Sequence, residues 1–141
     1  MMNISITDWN MAKELVSPIR YRVFVLEQQV PEDLEWDEYD EVASHAVAQL
    51  GGQVIGTGRL ILDHIVARIG RMAVDEKFRG QGVGEGILKS LINHGKERGA
   101  QEFILHAQTH AIAFYAKEGF EPYGPIFDEA GIPHVEMRLY L

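Results

Sequence analysis

The sequence predicts a mixed α/β layer fold, with elements in the order β-α-α-β-β-β-α-β-α-β-β. Three observations predict it: a strand meander turning at Gly51-Gly52, a switch to helical hydrophobic spacing at Val83, and short apolar segments that alternate with helical ones up to glycine stops.

Asn3-Ile4-Ser5-Ile6 alternates as a short strand does. Leu15, Ile19, Val23 and Leu26 then recur at helical spacing, so a helical region covers about residues 10 to 29. Ser17 as N-cap with Pro18 in the first turn would divide it into two short helices. Residues 45 to 50 and 53 to 62 read as strands joined by a Gly-Gly hairpin, and Ile65 to Val74 as the third strand of the meander. Val83, Ile87, Leu88, Leu91 and Ile92 form the apolar stripe of a helix that Gly99 can end. Phe103-Ile104-Leu105 is a short buried strand. A helix from about 110 to 118 stops at Gly119, and residues 120 to 124 and 134 to 140 read as a closing strand pair.

Residues 1 to 141 are read as one domain, because no repeat, low-complexity tract or linker interrupts them. A chain of this length buries roughly 70 % of its unfolded surface, enough core without staples. The absence of cysteine excludes disulfides, thiolate metal sites and a thioester-linked acyl-enzyme. A soluble, cytoplasmic protein is expected, since no stretch approaches 18 apolar residues. The net charge of −8 argues against nucleic acid or an anionic membrane as a partner. Seven acids fall between residues 32 and 41 (Glu32, Asp33, Glu35, Asp37, Glu38, Asp40, Glu41), leaving 21 − 7 = 14 acids against 13 bases elsewhere. That run reads as a solvated, mobile loop or as an attractor for a cationic acceptor.

Ile69 to Gly84 runs from a strand through the glycine-dense turn Arg79-Gly80-Gln81-Gly82-Val83-Gly84 into a helix. Such a turn binds anions: glycines let the backbone approach a phosphate, successive N–H groups converge, and the helix N-terminus adds roughly half a positive charge. A dinucleotide fingerprint fails here, because it would need glycine at Glu85 or Ile87. A P-loop fails as well, since Lys89 follows Leu88 rather than a glycine.

The turn, its flanking strand and helix, and Ala113-Phe114-Tyr115-Ala116-Lys117-Glu118-Gly119-Phe120 together resemble the GCN5-related N-acetyltransferase (GNAT) superfamily, and Arg22-Val23-Phe24-Val25-Leu26-Glu27-Gln28 with the acidic run resembles small bacterial single-domain members of it. The resemblance implies a mostly antiparallel central sheet flanked by helices and an enzyme that uses acetyl-CoA. It places CoA pyrophosphate at Arg79, Gly80, Gln81, Gly82, Val83 and Gly84, pantetheine along Met72, Ala73 and Val74, and Phe114 at the cofactor. Tyr115 would protonate the departing thiolate; the alternative for this residue is core packing. Where family members often carry Asn to hold pantetheine, this chain has His110.

The expected reaction is direct transfer of an acetyl group to an amine of a small molecule or peptide, with a homodimer left open. An alkyl amine of pKa about 10.4 is neutral only about once in 2,500 molecules at pH 7, a penalty near 4.6 kcal/mol, so a base or a water chain is needed. His106, His110 and His134 are candidates, as is Glu27 acting through water. The stretch from Tyr123 to Pro133 reads as a substrate lid. Amino-sugar or O-acyl transfer, and a non-catalytic CoA-binding module, remain alternatives.

Overall fold

The computed structural model describes residues 2–141. Its seven strands are β1 (Met2–Thr7), β2 (Ser44–Leu50), β3 (Gln53–Asp63), β4 (Val66–Val74), β5 (Glu102–Gln108), β6 (Glu121–Glu129) and β7 (Ile132–Tyr140). They form one sheet in the order β1-β2-β3-β4-β5-β7-β6. Every neighbouring pair is antiparallel except β4 and β5, whose parallel pairing requires a long crossover. The crossover contains α3 (Val83–Glu97); the other helices are α1 (Trp9–Arg20), α2 (Glu32–Glu35) and α4 (Ile112–Ala116). Among the described residues no helix is long and apolar enough to cross a membrane.

Strand alternation sorts the core onto the two faces of the sheet. Ala46, Ala48, Leu105, Ala107 and Met137 pack with Ile87, Leu88 and Leu91 of α3. Val47 and Ala73 pack with Ala12, Val16 and Ile19 of α1 on the other side.

The helical region does not break at Ser17. Asp8 caps α1 by accepting from the Met11 N–H at 3.1 Å, and the helix runs through Pro18. An interior proline costs about 3 kcal/mol in isolation. Here Ala12, Val16, Ile19, Val23 and Phe24 bury one continuous stripe, which holds the helix together. The change of geometry comes later, where Tyr21–Glu27 widen into a π-helix.

The acidic run is not a solvated loop. It folds as α2 and a 3₁₀ turn (Glu38–Glu41), with Glu35 and Asp40 buried. Three arginines distant in sequence converge on it. Arg20 holds Glu35 at 2.7 Å and Asp40 at 2.8 Å, Arg59 holds Asp37 at 2.7 Å and Asp40 at 2.9 Å, and Arg71 holds Asp37 at 3.0 Å. Glu32, Asp33, Glu38 and Glu41 remain exposed.

Tyr123 to Pro133 is not a lid either, because β6 continues to Glu129 and a tight turn at Ala130-Gly131 leads into β7. The register shifts between Tyr123 and Phe127, around Gly124 and Pro125. Proline has no N–H to donate, and a bulge on the outermost strand tolerates that loss.

His45 is buried, and its Nε2 donates to the Asp40 carbonyl at 2.8 Å. Burial holds this imidazole below its ordinary value, so it is neutral in the folded protein at pH 7. A folded pKa below the unfolded one means stability is present above about pH 6.5 and is lost as pH falls through the folded value. His45→Gln keeps a donor for Asp40 but cannot titrate. Between pH 7 and 5.5 its melting temperature is expected to fall less than that of the parent.

Candidate active site

β4 and β5 pair only from Val66↔Glu102 to Ile69↔Leu105. Beyond that point the strands separate, β4 staying with β3 and β5 with β7. Ala73 and Val74 are paired with β3 on one edge and Met72 has no ladder partner there, while the edge toward β5 faces an open cleft. The cleft starts beside a bulge, since Gly58 of β3 stands opposite both Arg71 and Met72. Arg71 has φ +49, and the bulge reverses the alternation: Ala67 and Ile69 face α3, whereas Ala73 faces α1. A Cβ on Gly58 would lie 2.6 Å from Met72 Sδ, so a side chain here would have to displace Met72.

The predicted phosphate turn closes the far end of the cleft. Gly80 (φ +76) and Gly82 (φ +84) are left-handed and have open space around them. Gly82 is the N-cap of α3 and supplies no side-chain cap. The first intrahelical hydrogen bond runs from the Gly86 N–H to the Gly82 carbonyl at 3.0 Å. The N–H groups of Val83, Gly84 and Glu85 are thus free of helical partners and point out of the helix end. Phe114 of α4 packs on this end, 3.3 Å from where a Cβ on Gly84 would be.

Arg79 is turned away from the helix end. Its guanidinium binds both oxygens of Glu27 at 2.6 and 2.8 Å, and its Nε donates to the Val74 carbonyl at 3.0 Å. The bidentate pair fastens the turn to the end of the π-helix, and it holds the Glu27 carboxyl below its usual range. Gln81 donates to the Lys77 carbonyl at 3.3 Å.

Tyr115 is wedged edge-on between Phe114 (ring centroids 5.0 Å apart) and Phe120 (6.2 Å). Desolvation by these neighbours pushes its phenol up to about 12. At pH 7 it is therefore a neutral phenol.

The three candidate histidines differ in environment. His110 is exposed on the 3₁₀ turn before α4 and bonds Gln108 at 2.8 Å. His134 is buried in β7, its Nδ1 donating to the Ile132 carbonyl at 2.7 Å. His106 is exposed on β5, with Nδ1 2.9 Å from Glu129 of β6. Two further residues, Arg71 and Glu129, escape the sequence reading. Arg71 has a visible signal: regular alternation from Ala67 and Ile69 would point this charged residue into the core. Two surface depressions, of about 310 and 260 Å³, lie away from the cleft, beside Pro18 and Lys89 respectively.

A family model described as the acetyltransferase (GNAT) domain matches residues 10–141. A protein of Bacillus subtilis (strain 168), named uncharacterized N-acetyltransferase YjcF, is 38 % identical over 120 residues, 84 % of this chain and 86 % of that one. An acyl-CoA N-acyltransferase from Pseudomonas aeruginosa has a crystal structure similar to this one, with TM-score 0.87 and 28 % identity over 98 % of this chain and 99 % of that one. A GNAT family acetyltransferase from Elizabethkingia anophelis, solved with acetyl-CoA bound, shares the fold at TM-score 0.74 and 23 % identity, covering 99 % of this chain and 98 % of that one.

Proposed function

The chain belongs to the GNAT acetyltransferase family and is an acetyltransferase, and we propose that it moves an acetyl group from acetyl-CoA to an amine of a small molecule or peptide by direct transfer in a ternary complex. The observation that carries the donor assignment is the uncapped start of α3, where the N–H groups of Val83, Gly84 and Glu85 stand behind two left-handed glycines at the mouth of the cleft. These groups fit a diphosphate, because each needs an acceptor and the helix dipole favours an anion. The edge of Met72, Ala73 and Val74 that β5 leaves unpaired fits the amide groups of a pantetheine arm in the way a strand edge fits a peptide, with the Val74 carbonyl already held by Arg79.

When bound, acetyl-CoA supplies the thioester carbonyl and the thiolate leaving group. The chain contributes position and polarity. Backbone N–H groups at the β4 bulge polarise the carbonyl oxygen, and the left-handed Arg71 turns the backbone there out of the regular ladder. Tyr115 faces the leaving sulfur as a phenol. With its pKa near 12 against about 8.5 for a thiol, complete proton transfer is uphill by about 3.5 units, or about 5 kcal/mol. Its main contribution is therefore a hydrogen bond to the sulfur as negative charge develops.

Tyr115→Phe is expected to lower turnover by roughly 10- to 1,000-fold, with acetyl-CoA affinity changed less than about twofold. CoA thiol release with a panel of primary amines measures the first quantity, and calorimetry the second. Because the phenol is the working form, the parent's rate is expected to show no alkaline fall from Tyr115 below about pH 11. A variant that turns over like the parent while losing stability would reduce Tyr115 to core packing.

A further inference from the structure

We infer that His106 is the general base that takes the acceptor's proton, and that Glu129 is the positioning residue that fixes its working tautomer. The inference rests on the acetyl-CoA reading above. His106 is the first residue of β5 past the last β4–β5 pair, Ile69↔Leu105, so it stands at the apex of the cleft. Its neighbours Leu105 and Ala107 are buried in the α3 core, which sends the imidazole to the opposite, open face. On that face the Glu129 carboxylate accepts from Nδ1 at 2.9 Å, and Phe127 packs edge-on against the ring at 5.1 Å. With its proton on Nδ1, the imidazole keeps a lone pair on Nε2. This is the arrangement of a base whose other nitrogen is oriented by an acid.

The other candidates lack one part of it. Both oxygens of Glu27 are occupied by Arg79. His134 is buried, and its Nε2 stands 3.7 Å from Glu129, beyond hydrogen-bond reach. His110 bonds the neutral amide oxygen of Gln108, with no carboxylate behind it. Glu136, directly across from His106 in the ladder, is taken by Arg138 at 2.6 Å.

In the transfer step the acceptor nitrogen forms its bond to the acetyl carbon and the carbon–sulfur bond breaks. The proton lost by nitrogen goes to His106 Nε2 and from there to solvent. The sulfur leaves with the bonding electron pair, accepts a hydrogen bond from Tyr115 and is protonated from water.

Bromoacetyl-CoA tests the assignment without knowledge of the acceptor. Bound as the donor is, it presents an alkylating carbon where the acetyl methyl would lie; Nε2 forms a bond to that carbon and bromide departs. Peptide mapping by mass spectrometry is expected to find one adduct, on His106, prevented by excess CoA. His106→Gln should lose it while binding CoA as the parent does. Glu129→Leu should label at least 10-fold more slowly, and ¹⁵N NMR should show its His106 proton moving from Nδ1 toward Nε2, which loss of a merely structural contact would not produce. A CoA-protected adduct on His134, His110 or Glu27, or a bound reagent that leaves His106 unmodified, overturns the inference and leaves the donor reading intact. If neither bromoacetyl-CoA nor CoA binds, the donor reading fails and the inference falls with it.

Discussion

Gly82→Val is expected to lower CoA affinity by at least about 100-fold in a protein that still folds. Gly82 has φ +84, and a β-branched residue held in that region costs roughly 1–2 kcal/mol or more. Against a total stability of about 5–15 kcal/mol that cost is survivable, and no heavy atom beyond the adjoining residues lies within 4 Å of the position a Cβ would take, so no clash is added to it. Binding has no such margin. The valine either keeps the left-handed turn, setting two methyl groups in front of the Val83, Gly84 and Glu85 N–H groups, or relaxes φ and turns those groups away. Gly82→Ala, smaller and less strained, should fall between parent and valine. Calorimetry with CoA measures both variants, and circular dichroism reports the fold. Unchanged affinity in a folded Gly82→Val protein would remove the diphosphate assignment.

The glycine turn into α3 is legible in sequence because glycine spacing and the onset of an apolar stripe are local features. The meander and α3 are legible for the same reason, their periods being set by neighbours two to four residues apart. What was not legible depends on contacts between distant segments. The acid count from Glu32 to Glu41 is plain, but the guanidinium groups that bury Glu35 and Asp40 come from Arg20 and Arg59, on α1 and β3. Pro18 argues locally for a break, and only the joint burial of Val16, Ile19 and Val23 against Val47 and Ala73 outweighs it. Glu129 could not be linked to His106 from sequence. They lie 23 residues apart, and their contact depends on a β6–β7 register that shifts at the bulge between Tyr123 and Phe127. The β4 bulge is intermediate: Arg71 falling in phase with Ile69 is a local conflict that only a bulge resolves.

Arg20→Met is expected to destabilise the fold by about 3–5 kcal/mol, the usual result of removing one member of a buried ion network. The Arg20 guanidinium is 1 % exposed, lies 4.9 Å from the Trp36 ring, and is the shared partner of Glu35 and Asp40. Methionine fills much of the volume but leaves both carboxylates without that partner. The loss should depend on pH in a defined direction. Burial already raises the Glu35 carboxyl above its ordinary value against the opposing pull of Arg20, and losing Arg20 raises it further. A carboxyl whose folded pKa is raised loses stability as pH rises above its unfolded value, so the deficit relative to the parent should be larger at pH 7.5 than at pH 5. Urea denaturation at both values measures it. Adding Glu35→Gln and Asp40→Asn should recover much of the loss, because the unpaired charges are then gone. The network also bears on the cleft, since Arg71 at the β4 bulge donates to the Leu34 and Glu35 carbonyls and to Asp37. Replacing Glu35, Asp37, Glu38 and Asp40 together would therefore report mainly on folding. A test of steering toward a cationic acceptor belongs to the exposed Glu32, Asp33, Glu38 and Glu41, whose long-range attraction added salt would screen. If Arg20→Met denatures like the parent at pH 7.5, the ion network does not hold the acidic segment.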